Sequence, residues 1–144
     1  MSIIVWDGKT LAADKRATNN GHAATTSKIF RVDDMLIGFS GDACFGLAML
    51  VWLKEGADPK QFPESQKSTD DYAGVVRIER SGLILKYERS PFPMSIHDRT
   101  FAMGSGRDFA LAALHLGKSA REAVDVACAL DIYCGNGIDA LEFE

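Results

Sequence analysis

Short apolar runs alternate with turn-forming residues through the first forty positions. Ile3-Ile4-Val5-Trp6 is apolar throughout, and a strand is predicted over Ser2–Trp6. Asp7-Gly8 is a two-residue hairpin signal, because glycine accepts the positive φ that such turns require. It predicts a returning strand over Lys9–Asp14. Arg16–Ala24 carries a second turn signal, Asn19-Asn20-Gly21. Lys28–Val32 and Met35–Ser40 read as strands joined at Asp33-Asp34. The amino-terminal part of the chain is therefore a hairpin-rich sheet.

The periodicity changes after Gly41-Asp42. Ala43–Glu55 is apolar on nearly every face, with Asp42 as N-cap and Gly56 as the stop, which predicts a helix buried all round with Cys44 in the core. Residues 57–71 carry Pro59, Pro63 and many polar groups and read as a loop. Tyr72–Glu79 and Leu83–Glu88 are strand-like, joined by Arg80-Ser81-Gly82. Ser90–Arg99, with Pro91 and Pro93, reads as a connection, and Thr100–Met103 as a short strand. A helix is predicted over Ser105–Leu116, with Ser105 as its cap and Gly117 as its end. Ser119-Ala120-Arg121-Glu122 is a capping box that starts another helix, running to about Tyr133 and stopping at Gly135. Ile138–Phe143 reads as a last strand. The order of strands, one helix, strands, two helices and a strand is an α+β order, in one domain over residues 1–144.

Composition narrows the classes. Apolar residues make up 47% and charged residues 25%, the balance of a globular chain rather than a disordered one. Sixteen Lys and Arg against twenty Asp and Glu give a net charge of −4, and there is no dense basic patch, so nucleic acid is not an expected partner. The longest apolar run, around Ala43–Leu53, falls short of the roughly 20 residues a bilayer span needs, so no membrane is expected either. Met1-Ser2-Ile3 shows no basic leader, and no signal peptide is expected. Cys44, Cys128 and Cys134 are odd in number with no CxxC, which points to reduced thiols in the cytoplasm.

Candidate chemistry is sparse when taken motif by motif. His22, His97 and His115 are isolated and form no metal-ligand spacing. There is no G-x-S-x-G elbow. Gly104-Ser105-Gly106 between a strand and a helix could cradle an anion, although the simplest role for Ser105 is a helix cap.

The joint layout says more. Ser2 begins the first strand, and the second strand ends in Ala12-Ala13-Asp14-Lys15-Arg16-Ala17-Thr18. Lys28 opens a later strand, Ser40-Gly41-Asp42 closes a strand onto a helix, Gly104-Ser105-Gly106 opens the next helix, and Asp131-Ile132-Tyr133-Cys134-Gly135 closes the last. Over nearly the whole chain this resembles the proteasome β-subunit superfamily, including the HslV-type peptidases, which are N-terminal nucleophile (Ntn) hydrolases. AADKRAT is its most specific piece.

The resemblance implies an α+β, four-layer α/β/β/α sandwich and a threonine/serine-type endopeptidase that needs no cofactor. In its terms Ser2, freed by removal of Met1, is the nucleophile and its own α-amine is the base. Lys28 matches the lysine that lowers the hydroxyl pKa, Asp14 its counter-charge, and Gly41 the glycine whose N–H stabilises the oxyanion. Ser105 and Asp131 match the residues that orient the amine. Asp125, six residues before Asp131, competes for that assignment. Phe30, Phe39, Ala43 and Leu47 match side-chain pocket positions, and their apolar character suggests cleavage after hydrophobic residues, while ordinary core packing accounts for them equally well. Thr18 and Ala43 match the backbone edges that pair with an extended peptide.

Three departures bear on this. Ser stands where the family more often has Thr, and lacks the methyl that fixes the rotamer. Cys134 stands at the family's second serine, and a thiol is a poorer donor. Residues 57–71 replace a long helix, so one helical layer is reduced. Relatives suggest a homo-oligomeric ring, an ATP-dependent unfoldase partner and peptide or unfolded-protein substrates, but the reduced region is one that the family uses for ring contacts. The alternatives are a non-catalytic scaffold or regulatory subunit and an amidase for small substrates.

Overall fold

The computed structural model describes residues 2–64 and 73–144. Its strands are β1 (Ile4–Trp6), β2 (Thr10–Asp14), β3 (Arg16–Asn19), β4 (His22–Thr25), β5 (Ile29–Val32), β6 (Met35–Gly41), β7 (Ala73–Glu79), β8 (Ile84–Tyr87), β9 (Met94–Ile96), β10 (Phe101–Met103) and β11 (Ile138–Glu142). Its helices are α1 (Ala43–Lys54), α2 (Arg107–His115) and α3 (Ala120–Leu130), with one 3₁₀ turn at Pro59–Gln61. One sheet has the order β10-β1-β2-β11 and a second the order β5-β6-β7-β8-β9, and β3 and β4 form a separate hairpin. Neighbouring strands are antiparallel throughout.

Strand alternation sorts the apolar side chains into three cores. Ile3 and Val5 face one side of the first sheet, where Ala110 and Ala113 of α2 and Ala120, Ala123, Val124 and Ala127 of α3 meet them. The alanines are what let both helices lie close to the sheet and to each other. Ile4, Trp6, Leu11 and Ala13 face the other side and pack on Ile29, Leu36, Val76, Ile78 and Ile84 of the second sheet. Ile37, Phe39, Val75 and Tyr87 on the far face of that sheet meet Phe45, Met49, Trp52 and Leu53 of α1. Being buried on both faces is why β1 reads as an unbroken apolar run.

Local chemistry sets the element ends. The β1–β2 connection is longer than a two-residue turn, since Trp6 pairs with Leu11. Asp7 closes it by accepting from the Lys9 and Thr10 N–H groups, and its other oxygen accepts from Ala120 N at 2.8 Å, tying the turn to the start of α3. Asp42 caps α1 by accepting from Cys44 N and Phe45 N. Gly56 follows the helix at φ +100°, the left-handed conformation that ends a helix.

Several expectations are corrected. The segment read as a connection over Ser90–Arg99 contains β9, an edge strand pairing with β8. Ser105 does not cap α2, which starts at Arg107 with Gly106 at its N-cap and no capping side chain. The last helix ends at Leu130, so Asp131 is its C-cap rather than a helical residue. The first helix is not buried all round: Cys44, Leu47, Ala48 and Val51 are exposed on its outer face. Periodicity could not separate an all-apolar helix inside the protein from one with an uncovered face. Tyr72 and the end of the 57–71 loop lie outside the described residues.

Candidate active site

The β1–β2 register brings the first two candidate residues together. Ile4 pairs with Ala13, which sets Asp14 beside the residue before Ile4. Asp14 N donates to Ile3 O at 3.3 Å, and Ile3 N donates to Asp14 Oδ1 at 3.1 Å. The start of β1, with Ser2, is thereby held against the end of β2. Gly104 secures it from the other side. Its φ is +113°, and a Cβ there would stand 2.1 Å from the Ser2 carbonyl oxygen, so only glycine allows that approach.

Asp14 has no solvent exposure, and Lys28 is 5% exposed. Lys28 Nζ lies 2.7 Å from Asp14 Oδ1. The carboxylate also accepts from Arg16 N at 3.3 Å and Gly135 N at 3.1 Å through Oδ2. Counting Ile3 N, four donors converge on the two oxygens, which is about their full capacity. A buried ion pair persists only when such further hydrogen bonds offset desolvation. Lys28 is fixed in turn by β6, whose Phe39 N donates to Lys28 O at 3.0 Å.

Ser2, Lys28, Gly41, Thr18, Phe39 and Ala43 line one cavity of about 480 Å³. Gly41 ends β6 at φ +93°. A side chain there would be strained, and its absence leaves the backbone open toward the cavity. Arg16, Ser40, Asp42 and Cys44 also line it and were not singled out from the sequence as site residues. Ser40 and Asp42 flank Gly41 and Arg16 lies within AADKRAT, and that adjacency is the sequence signal that points to them. Cys44, expected in the core, is an exposed thiol at the cavity wall.

Two expected pocket residues stand elsewhere. Phe30 stacks on Phe39 with centroids 5.9 Å apart, and joins the core beneath α1 rather than the cavity wall. Leu47 is 50% exposed on the outer face of α1. It falls on the turn of the helix that faces away from Phe45, Met49 and Trp52.

Ser105, Asp131 and Cys134 form a second cluster beside Ser2. Ser105 Oγ donates to Ser2 O at 3.4 Å and lies 4.0 Å from Cys134 Sγ. Cys134 Sγ donates to Asp131 Oδ2 at 3.3 Å, and Tyr133 N donates to Asp131 Oδ1 at 3.0 Å. Burial alone would raise the Asp131 carboxyl, but the neighbouring Ser105 hydroxyl, the Tyr133 N–H and the Cys134 thiol hold it below its ordinary value. Burial, with the charges of Asp14 and Asp131, pushes the Cys134 thiol up to about 12. Asp125, the competing carboxylate, is exposed on α3. Arg16 pins the loop that carries this cluster, donating from Nη1 to Ile132 O at 2.7 Å and from Nε to Asn136 Oδ1 at 2.9 Å.

Among the described residues no group of three or more His, Cys, Asp or Glu could hold a metal ion. None of their helices is long and apolar enough to cross a membrane.

No protein-family model matches the chain, and no curated protein matches it in sequence. Solved structures do resemble it. BPH of Thiobacillus denitrificans in complex with epoxomicin superposes with a TM-score of 0.69 at 18% identity, covering 99% of this chain and 98% of BPH. A second structure of Thiobacillus denitrificans BPH gives the same TM-score, identity and coverage. Eukaryotic HslV from Trypanosoma brucei superposes with a TM-score of 0.68 at 20% identity, covering 98% of each chain. The fold is thus that of HslV- and proteasome-type subunits over nearly its full length.

Proposed function

We propose that this chain, built on the HslV/proteasome-type fold, is a peptide-bond hydrolase whose nucleophile is Ser2 once Met1 has been removed. One observation carries the reading. Ser2, Lys28 and Gly41 line a single cavity, with the Asp14 carboxylate buried 2.7 Å behind the Lys28 ammonium. The pair also helps hold β1 and β2 together, but a buried cation that lines the same cavity as the Ser2 hydroxyl is placed to act on the charge of that hydroxyl.

The chemistry follows from those positions. The Ser2 oxygen attacks the substrate amide carbonyl, and its proton passes to the α-amine of the same residue. The Lys28 charge stabilises negative charge building on the Ser2 oxygen. The Gly41 N–H donates to the tetrahedral oxyanion, an interaction whose loss costs about 2.7–4 kcal/mol in comparable sites. The amine then protonates the leaving nitrogen, and the C–N bond breaks to leave an ester on Ser2. Water activated by the same amine hydrolyses that ester. Ser105 and Asp131 orient the amine, and Cys134 ties them together. Thr18 and Ala43 offer backbone edges to an extended peptide, and Phe39 gives the cavity an apolar wall.

The rest of the reading is architectural. Residues 1–144 form one domain. The three cores support layers stacked α/β/β/α, with α1 the only helix among the described residues on one outer side. The likeness to HslV supports a homo-oligomeric ring and peptide or unfolded-protein substrates, and an ATP-dependent unfoldase as partner is part of the same proposal. Three unpaired cysteines support a cytoplasmic setting.

The test is a substrate panel of fluorogenic peptide amides, small non-polymeric amides, and casein with and without an ATP-dependent unfoldase. Peptide amides are expected to be cleaved by the wild-type chain and not by Ser2→Ala. Turnover of small amides only would replace this reading with the amidase. No turnover by a chain whose mass shows Met1 removed would replace it with a scaffold.

A further inference from the structure

The Ser2 hydroxyl has a partner that the scheme above does not use. Ser2 Oγ donates to Ser40 Oγ at 2.7 Å, both residues are buried, and both line the cavity. We propose that Ser40 is a positioning residue that locks the Ser2 hydroxyl in its attacking rotamer; this rests on Ser2 being the nucleophile.

A serine carries one heavy atom on Cβ and can occupy three staggered χ1 wells. A threonine carries two and is restricted by its own branching. A serine nucleophile therefore needs an external restraint to reach the same order. Ser40 is well placed to give one, because its backbone is fixed on both sides. It pairs with Gly74 in β6–β7, Gly41 pairs with Ala73, and Asp42 is held as the cap of α1. The hydrogen bond spans 38 positions of sequence, joining the first sheet to the second where the cavity opens.

A hydroxyl suits this place better than a carboxylate. It can accept from Ser2 at rest and donate to it during the reaction. As the Ser2 O–H bond breaks and the proton forms an N–H bond on the α-amine, the Ser40 O–H turns toward the Ser2 oxygen. Ser40 keeps its own proton, so no further acceptor is needed.

The first test needs no substrate. Hα–Hβ coupling constants of Ser2, read by NMR on selectively labelled serine, are expected to show one rotamer in the wild type and an average in Ser40→Ala. Unchanged couplings would overturn the proposal whether or not the chain is an enzyme. The second reads the reaction of Ser2 with a peptide epoxyketone. If three wells become equally populated, the competent fraction drops to about a third, and loss of the hydrogen bond extends the effect, so Ser40→Ala should lower the maximal modification rate about three- to tenfold. The half-saturating concentration should not move. In a Ser2→Thr background, where branching supplies the restraint, Ser40→Ala should cost less than about twofold. The same fold-loss in both backgrounds would overturn the proposal. A wild-type chain that takes no adduct at all would contradict the peptidase reading instead, and the couplings would still decide the role of Ser40.

Discussion

Lys28→Met removes the ammonium while keeping much of the side chain's length, and leaves Asp14 buried without its counter-charge. Breaking a buried pair from one side costs about 3–5 kcal/mol. Asp14 keeps three backbone donors, from Ile3, Arg16 and Gly135, so the lower end, about 3 kcal/mol, is expected. For a chain of this size that corresponds to a fall in Tm of about 10 °C, which a domain of ordinary stability survives. Urea unfolding gives the stability directly. A cycle with Asp14→Asn separates the pair from its surroundings, and the double variant should be about 2 kcal/mol more stable than the sum of the single losses. Modification of Ser2 by a peptide epoxyketone should slow at least about 100-fold in Lys28→Met, because the charge that the proposed scheme uses to stabilise the developing alkoxide is gone. Additive losses would show that the pair is not coupled. Wild-type stability together with wild-type modification would refute the reasoning altogether.

Two further outcomes are expected. The Asp131 carboxyl is held below its ordinary value in the folded chain, so its contribution to stability is present above the unfolded value near 3.8 and is lost as pH falls through the lower folded value. Unfolding measured from pH 7 to pH 3 should therefore show a smaller acid-induced loss in Asp131→Asn than in the wild type, and an equal loss would contradict this. Iodoacetamide at pH 8 should alkylate the exposed Cys44 in the native protein. Cys128 and Cys134, whose thiols burial pushes up to about 11 and about 12, should react at least about 100-fold more slowly than in the unfolded chain, and peptide mapping that found all three modified together would contradict their surroundings.

Much of the sheet framework was legible because strand alternation and turn residues are local signals. Ile3 and Ile4 face opposite cores, and Gly8, Gly21 and Gly56 take the positive φ expected of them. What failed needed tertiary information. Ser105 followed by Gly106 reads as a cap, yet its hydroxyl turns to the Ser2 carbonyl because Gly104 has already brought that carbonyl close. The face of α1 bearing Leu47 and Val51 is as apolar as the face bearing Phe45 and Met49, and only the position of the second sheet decides which is covered. Phe30 and Phe39 were equivalent as apolar strand residues, but only Phe39 reaches the cavity. The Ser2–Ser40 contact was out of reach for the same reason, since it depends on two sheets meeting.

The claim that Ser2 is an N-terminal nucleophile is tested most directly by mass spectrometry of the purified chain before and after exposure to a peptide epoxyketone, with the adduct mapped to a residue. A chain lacking Met1, with one adduct confined to Ser2 and absent in Ser2→Ala, is the expected result. A chain that retains Met1, or one that has lost it and carries no adduct on Ser2, would contradict it.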